Sequence, residues 1–217
     1  MSRIIIFGDS FATKCDNDYG WTNKLAKNFN AEQVNYAVGG SSIEYSLYNL
    51  TNYLKNDYQQ EDKIIFVATN PSRSPIIHAD YNPKWACFYK VNKNNEYYKT
   101  VIKYTDQHID KYKYFLITSI LNSITNDCFL ICAFDNCIEK SKRNNFIISN
   151  FCLGDIAIAD QPEPNHLSVF NHDVMAELTF QSIITRNDLF DKKHFEKTNN
   201  KKIVDKKLWS NWLSPNL

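Results

Sequence analysis

Glycine is scarce in this chain, five in 217 residues, and arginine is scarcer still, four against 21 lysines. Each glycine therefore marks a place where the backbone demands one. Long hydrophobic runs are missing as well. The longest, Cys128 to Phe134, has seven residues, where a membrane-spanning helix needs about 20. The first apolar stretch, Ile4 to Phe7, is far shorter than the apolar region of a secretory signal. These absences predict a soluble protein, with no membrane span and no export by the usual route. Net charge is nearly absent too, +1 from 25 basic and 24 acidic residues. No overall field draws the chain to nucleic acid, and no nucleic-acid partner is predicted.

Six cysteines are present, Cys15, Cys87, Cys128, Cys132, Cys137 and Cys152. Without an export signal they read as thiols. The spacing of Cys128, Cys132 and Cys137 is loose, and the first two fall in an apolar, strand-like run. They read as small buried hydrophobes in preference to zinc ligands, so no metal is expected. Neither Gly-x-Gly-x-x-Gly nor Gly-x4-Gly-Lys-[Ser/Thr] occurs, which disfavours a nucleotide-binding domain; no cofactor is expected.

What remains is ordinary globular material, 43% hydrophobic and 23% charged, of a length that suits one domain. Arg3 to Phe7 is short, apolar and β-branched, and stops at Gly8-Asp9-Ser10, which predicts a buried parallel strand opening into a turn. Trp21 to Phe29 has helical spacing, and Gln33 to Val38 reads as a second strand. Ser42 to Tyr58 places Ile43, Leu47, Leu50 and Leu54 on one helical face, and Ile64 to Ala68 is the clearest interior strand. The alternation predicts parallel βαβ units in an α/β fold. Residues 72–99, rich in proline, asparagine and aromatics, predict a surface excursion; its Tyr81, Trp85, Phe88 and Tyr89 suit either packing or a cleft lining. Tyr97 to Thr125 reads as helix, Cys128 to Phe134 as a fourth strand, and Phe146 to Ile158 as unassigned apolar pieces. His166 to Ile184 reads as a terminal helix. An α/β domain of residues 1–185 is thus expected, followed by a charged C-terminal extension of 186–217.

Three of the five glycines fall in two short segments near the N-terminus, Gly8-Asp9-Ser10 and Asn35-Tyr-Ala-Val-Gly39-Gly40-Ser41-Ser42. A strand ending in Gly-Asp-Ser places a serine hydroxyl at the carboxyl edge of a parallel sheet, where α/β folds bind ligands. Taken alone the tripeptide equally describes a turn. Ala68-Thr69-Asn70-Pro71 follows the third strand, and Glu163-Pro-Asn-His166 lies near the end of the chain. Together these segments resemble the four blocks of the SGNH hydrolases, the GDSL-type esterases and lipases, over about residues 3 to 184.

The resemblance implies a three-layer α/β/α fold with a mostly parallel central sheet, flavodoxin-like in arrangement. It implies Ser10 as nucleophile, Gly40 and Asn70 as oxyanion donors beside the Ser10 N–H, His166 as general base and Glu163 as the carboxylate that orients it. A serine hydroxyl is a poor nucleophile until an imidazole takes its proton, and that imidazole must be held in one tautomer. Asp9 is expected to orient the loop. Two departures stand out: block three usually reads Gly-x-Asn-Asp, with Ala68 and Pro71 here, and the triad acid is usually Asp. Asp160 is the alternative to Glu163. Arg73, just past the third strand, suits a clamp on a substrate carboxylate, phosphate or sugar as well as a surface ion pair. His78, His108, His172 and His194 are expected to be structural.

The function implied is ester hydrolysis through an acyl-enzyme intermediate, on a small-molecule or carbohydrate ester such as an O-acetyl or other short acyl ester. The alternative is a weakly active or silent SGNH-like module with a structural or binding role, in a virus particle for example. A cytoplasmic or virion-associated location is expected accordingly.

Overall fold

Ile4, Ile5, Ile6 and Phe7 are all fully buried. The strand Arg3–Phe7 (β1) can be apolar at successive positions because both its faces are covered. Ile4 and Ile6 enter one core and Ile5 and Phe7 another, the two-residue alternation of a pleated strand. The structure, a computed structural model, describes residues 2–15, 18–71, 107–124, 127–134, 146–157 and 164–196. The excursion expected at 72–99, with its aromatic residues, lies outside the described residues, as do Cys87, Cys137, His78 and the final stretch 197–217.

Among the described residues the sheet has five strands, all parallel: β1, Glu32–Asn35 (β2), Lys63–Ala68 (β3), Cys128–Cys132 (β4) and Ile147–Cys152 (β5). Their spatial order is β2-β1-β3-β4-β5, the flavodoxin-like order. Ile5 pairs with Val34 on one side and Ile64 on the other, and Phe66 with Leu130.

The helices Trp21–Asn28 (α1) and Val169–Thr185 (α4) cover one face, and Ile43–Asn56 (α2) and Gln107–Asn122 (α3) cover the other. Trp21, Leu25, Met175 and Ile183 fill the first core; Ile43, Leu50, Ile117 and Leu121 fill the second. Three layers result, α/β/α, as expected. The stripes read from sequence in α1 and α2 meet the sheet, whereas on α4 Val169 and Phe170 are exposed and Met175, Ala176 and Ile183 face the core.

Helix starts are fixed locally. The Ser42 hydroxyl accepts the Tyr45 N–H at 3.3 Å and that of Ser168 the Asn171 N–H at 3.2 Å, ordinary N-caps. Helix α1 begins after Gly20 without a side-chain cap. Its unpaired Trp21 N–H donates instead to Nδ1 of His172 on α4, 3.0 Å away and fully buried. His172 is thus a structural histidine that joins α1 to α4.

Three expectations need correcting. The second strand is Glu32–Asn35, shorter than 33–38, because the Asn35 carboxamide turns back to accept the Ala37 N–H at 2.9 Å. The unassigned stretch from Phe146 contains β5 and a single 3₁₀ turn, Leu153–Asp155. The last helix starts at Val169, and His166 precedes it in a 3₁₀ turn, Pro164–His166. Beyond α4, residues 186–196 return to the core, where Phe195 stacks on Phe151 and Phe190 on Phe129 at centroid distances of 4.8 and 5.6 Å. Cys15, Cys128, Cys132 and Cys152 are buried. Among the described residues no helix is long and apolar enough to cross a membrane.

Candidate active site

Gly8 ends β1 with φ of 152°, and a Cβ there would lie 2.8 Å from Cβ of Val67 and 3.0 Å from its carbonyl oxygen. Glycine alone allows β1 to leave the sheet this close to β3. The chain then makes a turn closed by the Ala12 N–H on the Asp9 carbonyl at 2.9 Å. Asp9 is fully buried, and its carboxylate accepts the Phe11 N–H at 3.1 Å and the Thr69 hydroxyl at 2.6 Å. Its role is to tie the turn after β1 to the segment after β3. Ser10 is left partly exposed on this turn.

His166 reaches Ser10 from the far end of the sequence, its Nε2 2.9 Å from the Ser10 Oγ. With Nε2 unprotonated, the serine hydroxyl donates along this line. Asn165 and His166 both have left-handed backbone, φ 55° and 59°, a conformation that non-glycine residues adopt under constraint. Part of the constraint is visible. The Asn165 carboxamide, in a residue only 4% exposed, donates to the carbonyls of Ser10 at 3.0 Å and Thr13 at 2.9 Å, lies 3.3 Å from the Thr13 hydroxyl, and accepts from the Cys15 thiol at 2.8 Å. The Phe11 ring lies beside the imidazole at 5.0 Å between centroids, and Phe134 packs edge-on behind it.

The glycine pair after β2 belongs to the same edge. Gly40 has φ of 79°, and a Cβ on Gly39 would stand 3.8 Å from Cβ of Ser10. The Ser41 hydroxyl and the Val38 N–H both donate to the Gly8 carbonyl, at 3.0 and 3.1 Å, so this loop is pinned to the turn after β1. Asn70 is buried two residues past β3. The carbonyl of the next residue, Pro71, accepts from Nζ of Lys113 on α3 at 2.6 Å, and Lys113 also pairs with Glu44 at 2.8 Å.

Ser10, Gly40 and Asn70 thus follow β1, β2 and β3 at the carboxyl edge of the sheet. The chain turns to one side of β1 for β2 and then to the other for β3, and this is the switch point at which open α/β sheets bind ligands. The structure brings Ser10 and His166 into hydrogen-bond contact and places Gly40 and Asn70 on the same edge. Glu163, its alternative Asp160, and Arg73 lie outside the described residues. Sequence reasoning gave no role to Asn165 or Lys113. Asn165 had one signal, an αL-tolerant residue directly before the histidine; Lys113 had none. Among the described residues no three potential ligands gather to hold a metal ion. A serine hydroxyl joined to an imidazole at a sheet edge is equipped for proton transfer and nucleophilic attack.

No protein-family model matches the chain, and no curated protein does. Solved structures share its architecture. A member of the lipolytic G-D-S-L family from Veillonella parvula DSM 2008 is similar with a TM-score of 0.51 at 13% identity, over 86% of this chain and 100% of that one. The crystal structure of TesA is similar with a TM-score of 0.50 at 10% identity, over 82% of this chain and 94% of that one. With the strand order and the loop positions described above, this likeness identifies the fold: the chain has the SGNH hydrolase fold.

Proposed function

We propose that this chain is a serine hydrolase that cleaves an ester through an acyl-enzyme intermediate. The observation that carries the reading is the 2.9 Å contact between the Ser10 Oγ and the His166 Nε2, made across 156 positions of sequence. In the first half-reaction His166 takes the Ser10 proton while Oγ attacks the ester carbonyl carbon. The negative charge then developing on the carbonyl oxygen is met by the N–H groups of Ser10 and Gly40 and by the Asn70 carboxamide. The imidazolium returns its proton to the leaving alcohol, the C–O bond breaks, and the acyl group stays on Ser10. Water then attacks with His166 again as base, releasing the acid and restoring the hydroxyl.

Glu163 is assigned the second imidazole nitrogen, Nδ1, where an acceptor fixes the tautomer; Asp160 is the alternative. Arg73 is assigned a polar or anionic substituent of the substrate. The Veillonella parvula neighbour is described as lipolytic, in agreement with ester chemistry, and the substrate class proposed is a short acyl ester, including acetyl groups on sugars. The test is release of p-nitrophenol from p-nitrophenyl acetate. Parent protein is expected to turn over and to be labelled at Ser10 by a fluorophosphonate, and Ser10→Ala is expected to lose on the order of 10⁴-fold in kcat. Equal rates in the two proteins, with no labelling at Ser10, would overturn the proposal.

A further inference from the structure

The backbone that carries His166 is held in place by a side chain with no part in the chemistry just described. Asn165 precedes the histidine, and both residues are left-handed. Such a pair persists only where its surroundings determine it. The carboxamide of Asn165 has two N–H groups, and two backbone carbonyls stand within 3.0 Å of its nitrogen, those of Ser10 and Thr13. Its oxygen takes the Cys15 thiol proton at 2.8 Å. The first of those carbonyls belongs to the residue whose hydroxyl faces the imidazole. A single buried amide thus links the backbone beside His166 to the backbone of Ser10.

From this connection we infer that Asn165 is a positioning residue that sets the Ser10–His166 contact by clamping the histidine turn onto the serine turn; the inference rests on the hydrolase reading above. Its nearest replacements do not suit the place. Aspartate has the same length and tolerates left-handed backbone, but it would set a charged acceptor against two carbonyl oxygens. Glutamine is one methylene too long for a pocket with 4% exposure. Glycine accepts the backbone conformation and removes the clamp, so it separates the two contributions of the residue.

Asn165→Gly is therefore the decisive variant, with Asn165→Asp beside it. On p-nitrophenyl acetate, a displaced base is expected to lower kcat about 10- to 100-fold in Asn165→Gly, with KM changed less than about twofold. Asn165→Asp is expected to fall at least as far, and urea unfolding is expected to show Asn165→Gly folded under the assay conditions. A kcat within twofold of the parent in Asn165→Gly would overturn the inference. A second readout does not depend on turnover: the titration of the His166 imidazole followed by NMR with Ser10 or Ala at position 10. Ser10→Ala is expected to move that titration in the parent and to leave it nearly in place in Asn165→Gly. An equal displacement in both backgrounds would overturn the clamp. If the parent does not turn over but the NMR coupling behaves as expected, the hydrolase reading fails and the clamp stands.

Discussion

The two edges of the sheet are both rich in polar groups, yet they spend them differently. At the amino edge the Arg3 guanidinium donates to Asp62 at 2.9 and 2.7 Å and to Asp57 at 3.2 and 3.1 Å, and Asp62 also receives the Tyr53 hydroxyl and the Gln59 N–H. Together these contacts tie the start of β1, the end of α2 and the turn before β3 to one another. At the carboxyl edge the hydrogen bonds of Asp9, Ser41 and Asn165 run between loops, and they leave Ser10 and His166 facing each other. One edge uses its polar groups to fasten elements; the other uses them to hold Ser10 and His166 against each other. Folding and chemistry are therefore expected to respond to separate substitutions.

The largest expected effect is at the fastening edge. Arg3→Met leaves the carboxylate of Asp62, whose side chain is 1% exposed, without its cation, a change that typically costs about 3–5 kcal/mol. Urea unfolding measures it, and activity per folded molecule should be unchanged. At the other edge Asn70→Ala is expected to lower kcat by roughly 10²–10³-fold, the usual result of losing one oxyanion donor. A fall in KM-corrected rate of less than threefold would remove Asn70 from the site.

Acid should weaken the fastening edge. Burial pushes the Asp62 carboxyl upward more than any single neighbour opposes it, but hydrogen bonds from Arg3, Tyr53 and the Gln59 N–H together hold it below its ordinary 3.8. A depressed carboxyl stabilises the fold above its unfolded-state value, and that contribution is lost as pH falls through the folded-state value. Urea midpoints are thus expected to decline from about pH 4 downward, and the decline should shrink or reverse in Arg3→Met, where the guanidinium no longer opposes the burial of Asp62. The smallest effect concerns Cys128, whose thiol burial pushes up to about 12. At pH 8 Ellman's reagent should modify it only after unfolding, which peptide mapping of the labelled protein would show.

Much of this was legible in the sequence because burial on both faces leaves a plain record. β1, β3 and β4 read as unbroken apolar runs, and α1 and α2 as helical stripes. β5 escaped because it is at the edge of the described sheet and its middle is Ser149-Asn150, with Ser149 using its hydroxyl to accept the Phe151 N–H at 3.0 Å. The start of α4 was misplaced because the apolar spacing runs on through Leu167, which is buried without being helical. Ser10 and His166 were found through short motifs that recur with the chemistry. Asn165 was not assigned a role, since its contacts depend on two positive φ angles and on a turn about 150 residues away, and no local pattern encodes either.

The distance in sequence between Ser10 and His166 has a consequence for the order in which the molecule matures. β1 pairs with β2 and β3, both within the first 68 residues, whereas the imidazole arrives only when α4 has docked against α1. Contacts between near neighbours form faster than those that must close a long loop. On dilution from denaturant, helical circular dichroism should recover ahead of labelling at Ser10. A newly made chain would then hold a folded sheet before Ser10 meets His166.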